Sequence, residues 1–288
     1  MQKGSGDMSG RVCMITGTTS GIGKATALGL AKMGATVIMV ARNEADLRVA
    51  IDDIKEKTAN ESIDLIVADL SSQESIHRLA EDFRNKYQHL HVLINNAGLT
   101  AEHKTLSVDG IDTLFAVNYL APFLLTNLLL DVLKVSAPSR IVNVSSDGHK
   151  FGRIDFDDIQ SKKRSAIGAY GDSKLALNLF TYELARKIKG TGVTANALHP
   201  GVVATNIGSH DSSPFITRFI WKIFKVFMSS PDKGAQTSMF LASSPDVDGV
   251  SGKYFVKSKE TRSSKESYDE SVGQRLWQVS EELTKVST

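Results

Sequence analysis

Tyr170 and Lys174 stand four residues apart in A-Y-G-D-S-K-L-A-L, a run that continues with helical patterning. Positions i and i+4 share a helix face, so the phenol and the ammonium would point into one site. A tyrosine with an ordinary pKa of ~10 is a slow acid–base group near neutrality. A neighbouring cation, together with the positively charged ring of a bound cofactor, would favour the phenolate and lower that pKa, so the pair is a candidate for proton transfer. Such pairs are common on helix surfaces, and this one gains weight only from what precedes it.

What precedes it is V-C-M-I-T-G-T-T-S-G-I-G over residues 12–23, an apolar strand and then Gly17, Gly21 and Gly23 as a helix begins. Glycine accepts positive φ and has no Cβ, so the backbone can approach a pyrophosphate at the helix N-terminus. An ordinary strand–helix turn would tolerate the same glycines. Their place after the first strand of an alternating chain favours the nucleotide. Cys13 lies inside that strand as buried filler. The second strand, V-I-M-V-A-R-N, has Ala41 where an NAD-preferring sheet carries an acid, with Arg42 next. Arg42 can offer a 2′-phosphate a charge-assisted contact with no carboxylate to repel it, which points to NADP(H).

These groups need a frame, and the chain supplies one. Strands are expected near 11–16, 36–41, 63–68, 91–95, 140–145, 193–198 and 253–256, and helices near 22–33, 44–57, 73–88, 110–134, 168–189 and 231–243. Apolar runs such as Val37–Val40 and Val92–Ile94 suit strands buried on both faces. The fold class expected is α/β, a single doubly wound Rossmann domain with a parallel sheet of about seven strands and helices on both faces. Residues 1–9 read as a disordered leader and 10–256 as the NADP(H)-binding domain. Residues 257–288 read as a solvated loop over 257–269 and then a helix packed through Val272, Leu276, Val279 and Leu283.

Composition narrows the function classes. Lys and Arg total 34 and Asp and Glu 32, which gives no polycationic surface for nucleic acid. One cysteine excludes an intramolecular disulfide and a cysteine-built zinc site, and no metal is expected. The most apolar run, 119–133, is too short and polar to span a bilayer. A cytoplasmic location is expected, with peripheral membrane contact as the alternative.

The motifs in order resemble the short-chain dehydrogenase/reductase family over roughly residues 10–256. Thr16-Gly17-x-x-x-Gly21-Ile22-Gly23 is similar to its cofactor motif, which implies cofactor contacts at Gly17, Thr19, Ser20, Gly21, Ile22 and Gly23. Asn95-Asn96-Ala97-Gly98 resembles the second motif, with Asn96, Ala97 and Gly98 against the cofactor, and Asp69-Leu70 matches the adenine contact. The resemblance implies a catalytic tetrad. Tyr170 would give its proton to the carbonyl oxygen, and Lys174 would bind the nicotinamide ribose and tune Tyr170. Ser146 would hydrogen-bond the substrate oxygen, and Asn118 would hold a water in a relay. Ser145 is the register alternative, which strand alternation would turn to the other face. Pro200 and Gly201, after the sixth strand, would lie along the nicotinamide, Val203 would touch the cofactor and Thr205 would bond its phosphate or carboxamide side, with His199 structural.

The connection containing F-D-D-I-Q-S-K-K-R and the later K-G-A-Q-T-S…S-G-K-Y-F are similar to the retinol dehydrogenase-like branch. That implies a lipophilic aldehyde, ketone or alcohol as substrate and is compatible with a homo-oligomer; lack of the N-terminal anchor that many animal members carry is the expected departure from the branch. Residues 205–230 would then form a substrate lid. Within it, 215–228 places Arg218, Lys222 and Lys225 on one stripe and Phe219, Trp221 and Phe224 among the rest. A helix resting on a membrane surface is the second reading of that stretch. The alternatives to the oxidoreductase are a double-bond reductase of the same fold and a non-catalytic NADP(H)-binding scaffold.

Overall fold

The computed structural model describes residues 6–100, 105–201 and 230–286. Strands and helices alternate as β1 (Val12–Thr16), α1 (Gly21–Lys32), β2 (Thr36–Ala41), α2 (Glu44–Thr58), β3 (Ile63–Val67), α3 (Gln73–Lys86) and β4 (Val92–Asn95). A helical stretch follows, from α4 (Thr113–Phe115) through a π-helical turn (Ala116–Leu120) into α5 (Ala121–Leu128) and α6 (Leu130–Val135). Then come β5 (Ser139–Val144), a 3-10 turn (Asp147–Phe151), α7 (Ala166–Lys187) and β6 (Val193–His199). The described chain ends with α8 (Pro231–Ser243), β7 (Tyr254–Val256), β8 (Lys259–Thr261) and α9 (Glu270–Thr284).

Among the described residues the strands form one sheet in the order β3-β2-β1-β4-β5-β6-β7-β8. β1 to β7 are parallel, and β8 runs antiparallel to β7. The order reverses between β1 and β4, the switch point at which open α/β sheets leave a crevice beyond the strand ends. Side chains alternate between two apolar clusters. Met14, Ile38 and Leu93 face the layer of α3, α5, α7 and α9, whereas Cys13, Ile15, Met39 and Ile94 face that of α1, α2 and α8. Both faces are therefore apolar, as the continuous Val/Ile/Leu runs require.

The stretch expected as a solvated loop differs. Lys257 (φ 52°) and Ser258 (φ 59°) both take the left-handed conformation, which turns the chain in two residues and adds β8 to the edge. Neither is the Gly or Asn that marks such a turn in sequence. The exposed Lys259 and Glu260 guard the new edge. α9 packs as expected, but its buried face runs through Gly273, Leu276, Trp277, Ser280 and Thr284. The two hydroxyls are buried there because they bond carbonyls one turn back, at 2.7 and 2.6 Å.

Candidate active site

At the end of β1, Gly17 (φ +73°) and Gly21 (φ +59°) take backbone conformations that disfavour any side chain. Gly23 has a different reason to be glycine: a Cβ there would lie 2.1 Å from Gly17 O and 2.5 Å from Asn96 Nδ2. The floor of this turn is tied to β4. Asn96 N and Ala97 N both donate to Thr16 Oγ1 at 3.0 Å, and Asn96 Nδ2 donates to Thr16 O at 2.7 Å and Gly17 O at 3.1 Å.

α1 begins at Gly21 with Ser20 at its cap position, yet Ser20 makes no capping bond and no acid sits in the first turn. By contrast Asn43, Ser72, Ser165, Ser230 and Asp269 cap α2, α3, α7, α8 and α9 with their side chains. The first-turn N–H groups of α1 are thus left for an anion. Thr19 and Ser20 lie between β1 and α1, Ile22 in the first turn of α1, and Leu70 in the connection from β3 to α3. Arg42, one residue beyond β2, is exposed and makes no ion pair among the described residues. Asp69 holds its own turn, accepting from Ser71 N at 2.9 Å and Ser71 Oγ at 2.8 Å.

Across the switch point, α7 carries Tyr170 and Lys174 on one face, as their spacing requires. Lys174 is buried, its Nζ donating to Val144 O at 3.0 Å and lying 5.8 Å from the Tyr170 ring centroid. Burial lowers the Lys174 pKa from 10.5 to about 8. Burial also raises the Tyr170 pKa, and a hydrogen bond with Ser146 acts in the opposite sense without reversing it. Loss of solvent is thus the larger influence on the Tyr170 phenol.

Ser146 and Ser145 have distinct surroundings. Ser145 is buried with its hydroxyl directed at Lys174 O, 3.4 Å away, whereas Ser146 is half-buried and faces Tyr170. Asn118 sits in the π-helical turn, fully buried, and its amide straps the segment after β4. Oδ1 accepts from Leu99 N (2.7 Å), while Nδ2 donates to Leu99 O (3.0 Å) and Ser173 Oγ (3.1 Å). Gly98 keeps Asn118 and Lys174 close, since a Cβ there would be 3.4 Å from Asn118 Oδ1 and 3.3 Å from Lys174 Nζ. Pro200 and Gly201 (φ +87°) follow β6. Val203, Thr205 and the whole 215–228 stretch lie outside the described residues.

Several supports were not singled out from sequence. Gly148 packs against the Tyr170 ring, where a Cβ would be 2.9 Å from Cε1, and Gly152 and Gly171 allow the same close approach to α7. Asp172 fastens the connection before α7, accepting from Arg153 N and Ser161 Oγ at 2.7 Å and pairing with Arg164 at 3.1 Å. Beneath the strand ends, Asn95 Nδ2 donates to Thr126 Oγ1 (3.1 Å) and Asn143 Oδ1 (2.8 Å), and Asn143 Nδ2 donates to Thr181 Oγ1 (2.9 Å). The doubled asparagine in N-N-A-G and the lone one in V-N-V were the only marks of this buried ladder. Cys13 is fully buried, and burial pushes its thiol up to about 12. Among the described residues no acid/His/Cys cluster could hold a metal, and no helix is long and apolar enough to cross a membrane.

A doubly wound sheet with an open glycine turn at its switch point, faced by a tyrosine–lysine–serine cluster, has the make-up of a dinucleotide-dependent oxidoreductase. The sequence profile of the short chain dehydrogenase family matches residues 11–214. Retinol dehydrogenase 14 of Mus musculus is 43% identical over 300 residues, covering 99% of this chain and 90% of its own. Among solved structures, an uncharacterised protein of Mycobacterium paratuberculosis superposes with TM-score 0.80 at 32% identity, over 98% of this chain and 96% of that one. A Pseudomonas aeruginosa RhlG/NADP active-site complex superposes with TM-score 0.70 at 25% identity, over 86% of this chain and 95% of that one. The chain belongs to the short-chain dehydrogenase/reductase family, in its retinol dehydrogenase-like branch, and is an oxidoreductase.

Proposed function

We propose that this chain is an NADP(H)-dependent oxidoreductase acting between a lipophilic aldehyde or ketone and the matching alcohol, with Tyr170 as its acid and base. The observation that carries the reading is the half-buried Tyr170 held between Ser146 and Lys174 across the crevice from the uncapped N-terminus of α1. The residues present fit a dinucleotide. Gly17 and Gly21 take positive φ in the turn between β1 and α1, and the first turn of α1 has no acid to repel phosphate. Arg42, exposed at the end of β2 with no acid at Ala41, suits the extra phosphate of NADP(H). The bound RhlG complex is of that kind.

When bound, the nicotinamide supplies or takes up the hydride. Every proton belongs to the chain. Tyr170 donates its phenolic proton to the carbonyl oxygen, and Ser146 Oγ holds that oxygen by a hydrogen bond. Lys174, with its ammonium fixed on Val144 O, would hold the sugar of the nicotinamide and stabilise the tyrosinate left by proton transfer. Asn118 holds the segment containing Gly98 against this cluster.

Two side chains near Tyr170 support the substrate class. Ile167 lies one turn before Tyr170 on the same face of α7 and is 74% exposed. Phe151, 56% exposed, lays its ring on the same helix, where a Cβ at Gly171 would be 3.0 Å from Phe151 Cδ2. Two large apolar side chains left open beside an acid–base tyrosine suit an apolar substrate, in line with the retinol dehydrogenase names of the relatives. The reading is tested by Tyr170→Phe assayed with NADPH and a panel of aldehydes. Turnover is expected to fall by ~10²-fold or more while NADPH affinity holds, because the phenol oxygen acts in proton transfer. Activity within a few-fold of the parent would remove Tyr170 from this role.

A further inference from the structure

His149 is fully buried and lies outside every role assigned so far. Its two ring nitrogens are both committed. Nε2 lies 3.0 Å from Ser264 N, which can only donate, so Nε2 is the unprotonated acceptor. Nδ1 lies 2.6 Å from Ser146 O, which can only accept, so the single proton sits on Nδ1 and is donated to that carbonyl. The two partners demand the same neutral tautomer, and burial of the ring, pushing its pKa down, agrees with it. The ring also packs on Tyr254, with centroids 5.0 Å apart and the Tyr254 hydroxyl 3.4 Å from Nδ1.

The consequence reaches the serine hydroxyl. Ser146 O accepts from His149 twice, through Nδ1 and through the backbone N–H at 3.2 Å, which fixes the peptide after Ser146. Ser146 Oγ in turn accepts from Gly148 N at 3.1 Å. With one lone pair occupied in this way, the hydroxyl proton is directed away from Gly148. Ser264, on the far side of the ring, is itself anchored to α7. Ser263 Oγ meets Tyr182 OH and Ser267 Oγ at 2.6 Å each, and Ser267 Oγ donates to Ser264 O at 2.6 Å. The path from Ser146 through His149 and the serine turn therefore returns to the helix that carries Tyr170.

We propose that His149 is a positioning residue for Ser146, and that through it the serine turn at 263–267 forms part of the frame that aims the Ser146 hydroxyl. This rests on the reading of Ser146 as the group that holds the substrate oxygen. A ring that only filled space would need neither of its hydrogen bonds, and phenylalanine would serve as well. Ser264 offers an independent handle. Its φ of −63° is the angle proline prefers, so Ser264→Pro removes the N–H donor with little backbone strain.

The test is a pair of double-mutant cycles read by kcat with NADPH and a short aldehyde, alongside NADPH affinity and Tm. His149→Phe is expected to lower kcat by about tenfold or more, with NADPH affinity held within about threefold, because misaiming a group costs turnover rather than cofactor docking. Ser264→Pro should lower kcat in the same sense by a smaller factor. In a Ser146→Ala background both substitutions should cost almost nothing further in kcat, since residues acting through one group are not additive. Should His149→Phe not fold, the Ser264→Pro cycle carries the same comparison. Equal losses of kcat with and without Ser146, or folded variants with kcat within about twofold of the parent, would overturn the proposal. Ser146→Ala alone retaining kcat would instead overturn the reading of Ser146, and the positioning role with it.

Discussion

Around β1 and β4 the cleft is made of backbone, and around β5 and α7 it is made of buried side chains. On the first side, Gly17, Gly21 and Gly23 bring main chain against main chain, and the donors offered to a ligand are the uncapped N–H groups of α1. On the second, Tyr170, Lys174, Asn118 and His149 are each held by polar partners drawn from other elements. The difference follows from the two tasks. Gripping a pyrophosphate needs many fixed dipoles close to one surface, which peptide groups supply without titrating. Moving a proton needs a group whose affinity for it can be tuned, and tuning requires burial and neighbours.

If the two sides are as separate as this implies, one methyl group added on each should fail differently. Gly23→Ala sets a Cβ 2.1 Å from Gly17 O, a clash of backbone with backbone that no rotamer relieves. Strain of roughly 3 kcal/mol would weaken NADPH binding by about 10²-fold. Gly148→Ala sets its Cβ 2.9 Å from a Tyr170 ring carbon, and the ring can tilt away. Its expected cost is about tenfold in kcat with NADPH affinity unchanged. Fluorescence titration of NADPH and steady-state rates on both variants check the pair, and a loss of NADPH affinity in Gly148→Ala would show the two sides to be coupled.

The same contrast decides what could be read without a fold. Gly17 and Gly21 were legible because positive φ restricts residue type, and the strands because Cys13, Met14 and Ile15 had to serve opposite faces. Tyr170 and Lys174 were legible because one helix brings them together. His149 and Ser264 are 115 residues apart, and Asp172 meets Arg153 and Ser161 across a connection of no regular structure. Their pairing is decided by tertiary packing, which leaves no local period to detect. The burial that raises the Tyr170 pKa is hidden for the same reason, since it exists only once α7 is packed.

A smaller effect should come from the outer end of the backbone side, where a single side chain is expected to matter. Ala41→Asp with Arg42→Ala gives a 2′-hydroxyl an acceptor and removes the exposed cation that a 2′-phosphate would meet. The ratio of kcat/KM for NADPH to that for NADH should fall by about tenfold or more, mostly through KM, since neither residue approaches Tyr170. An unchanged ratio would place 2′-recognition elsewhere on the chain.

The smallest effect is one of stability, and it should mark the side-chain half alone. Burial lowers the Lys174 pKa from 10.5 to about 8, so between those values the unfolded chain holds a proton that the folded chain has released. Stability then rises with pH, because the state binding more protons is the unfolded one. Below pH 8 both states carry the proton and the full cost of burying the ammonium remains. From pH 7.5 to 9.5 the gain should be about 2 kcal/mol in the cofactor-free protein, and Lys174→Met should lack it. Urea unfolding of both proteins at the two pH values measures the difference, which subtracts the titration of the other lysines and tyrosines. An equal pH response in the two would mean that Lys174 titrates as in the unfolded chain. The Gly23→Ala variant should retain the full slope, because the backbone side contributes nothing that changes its charge in this range.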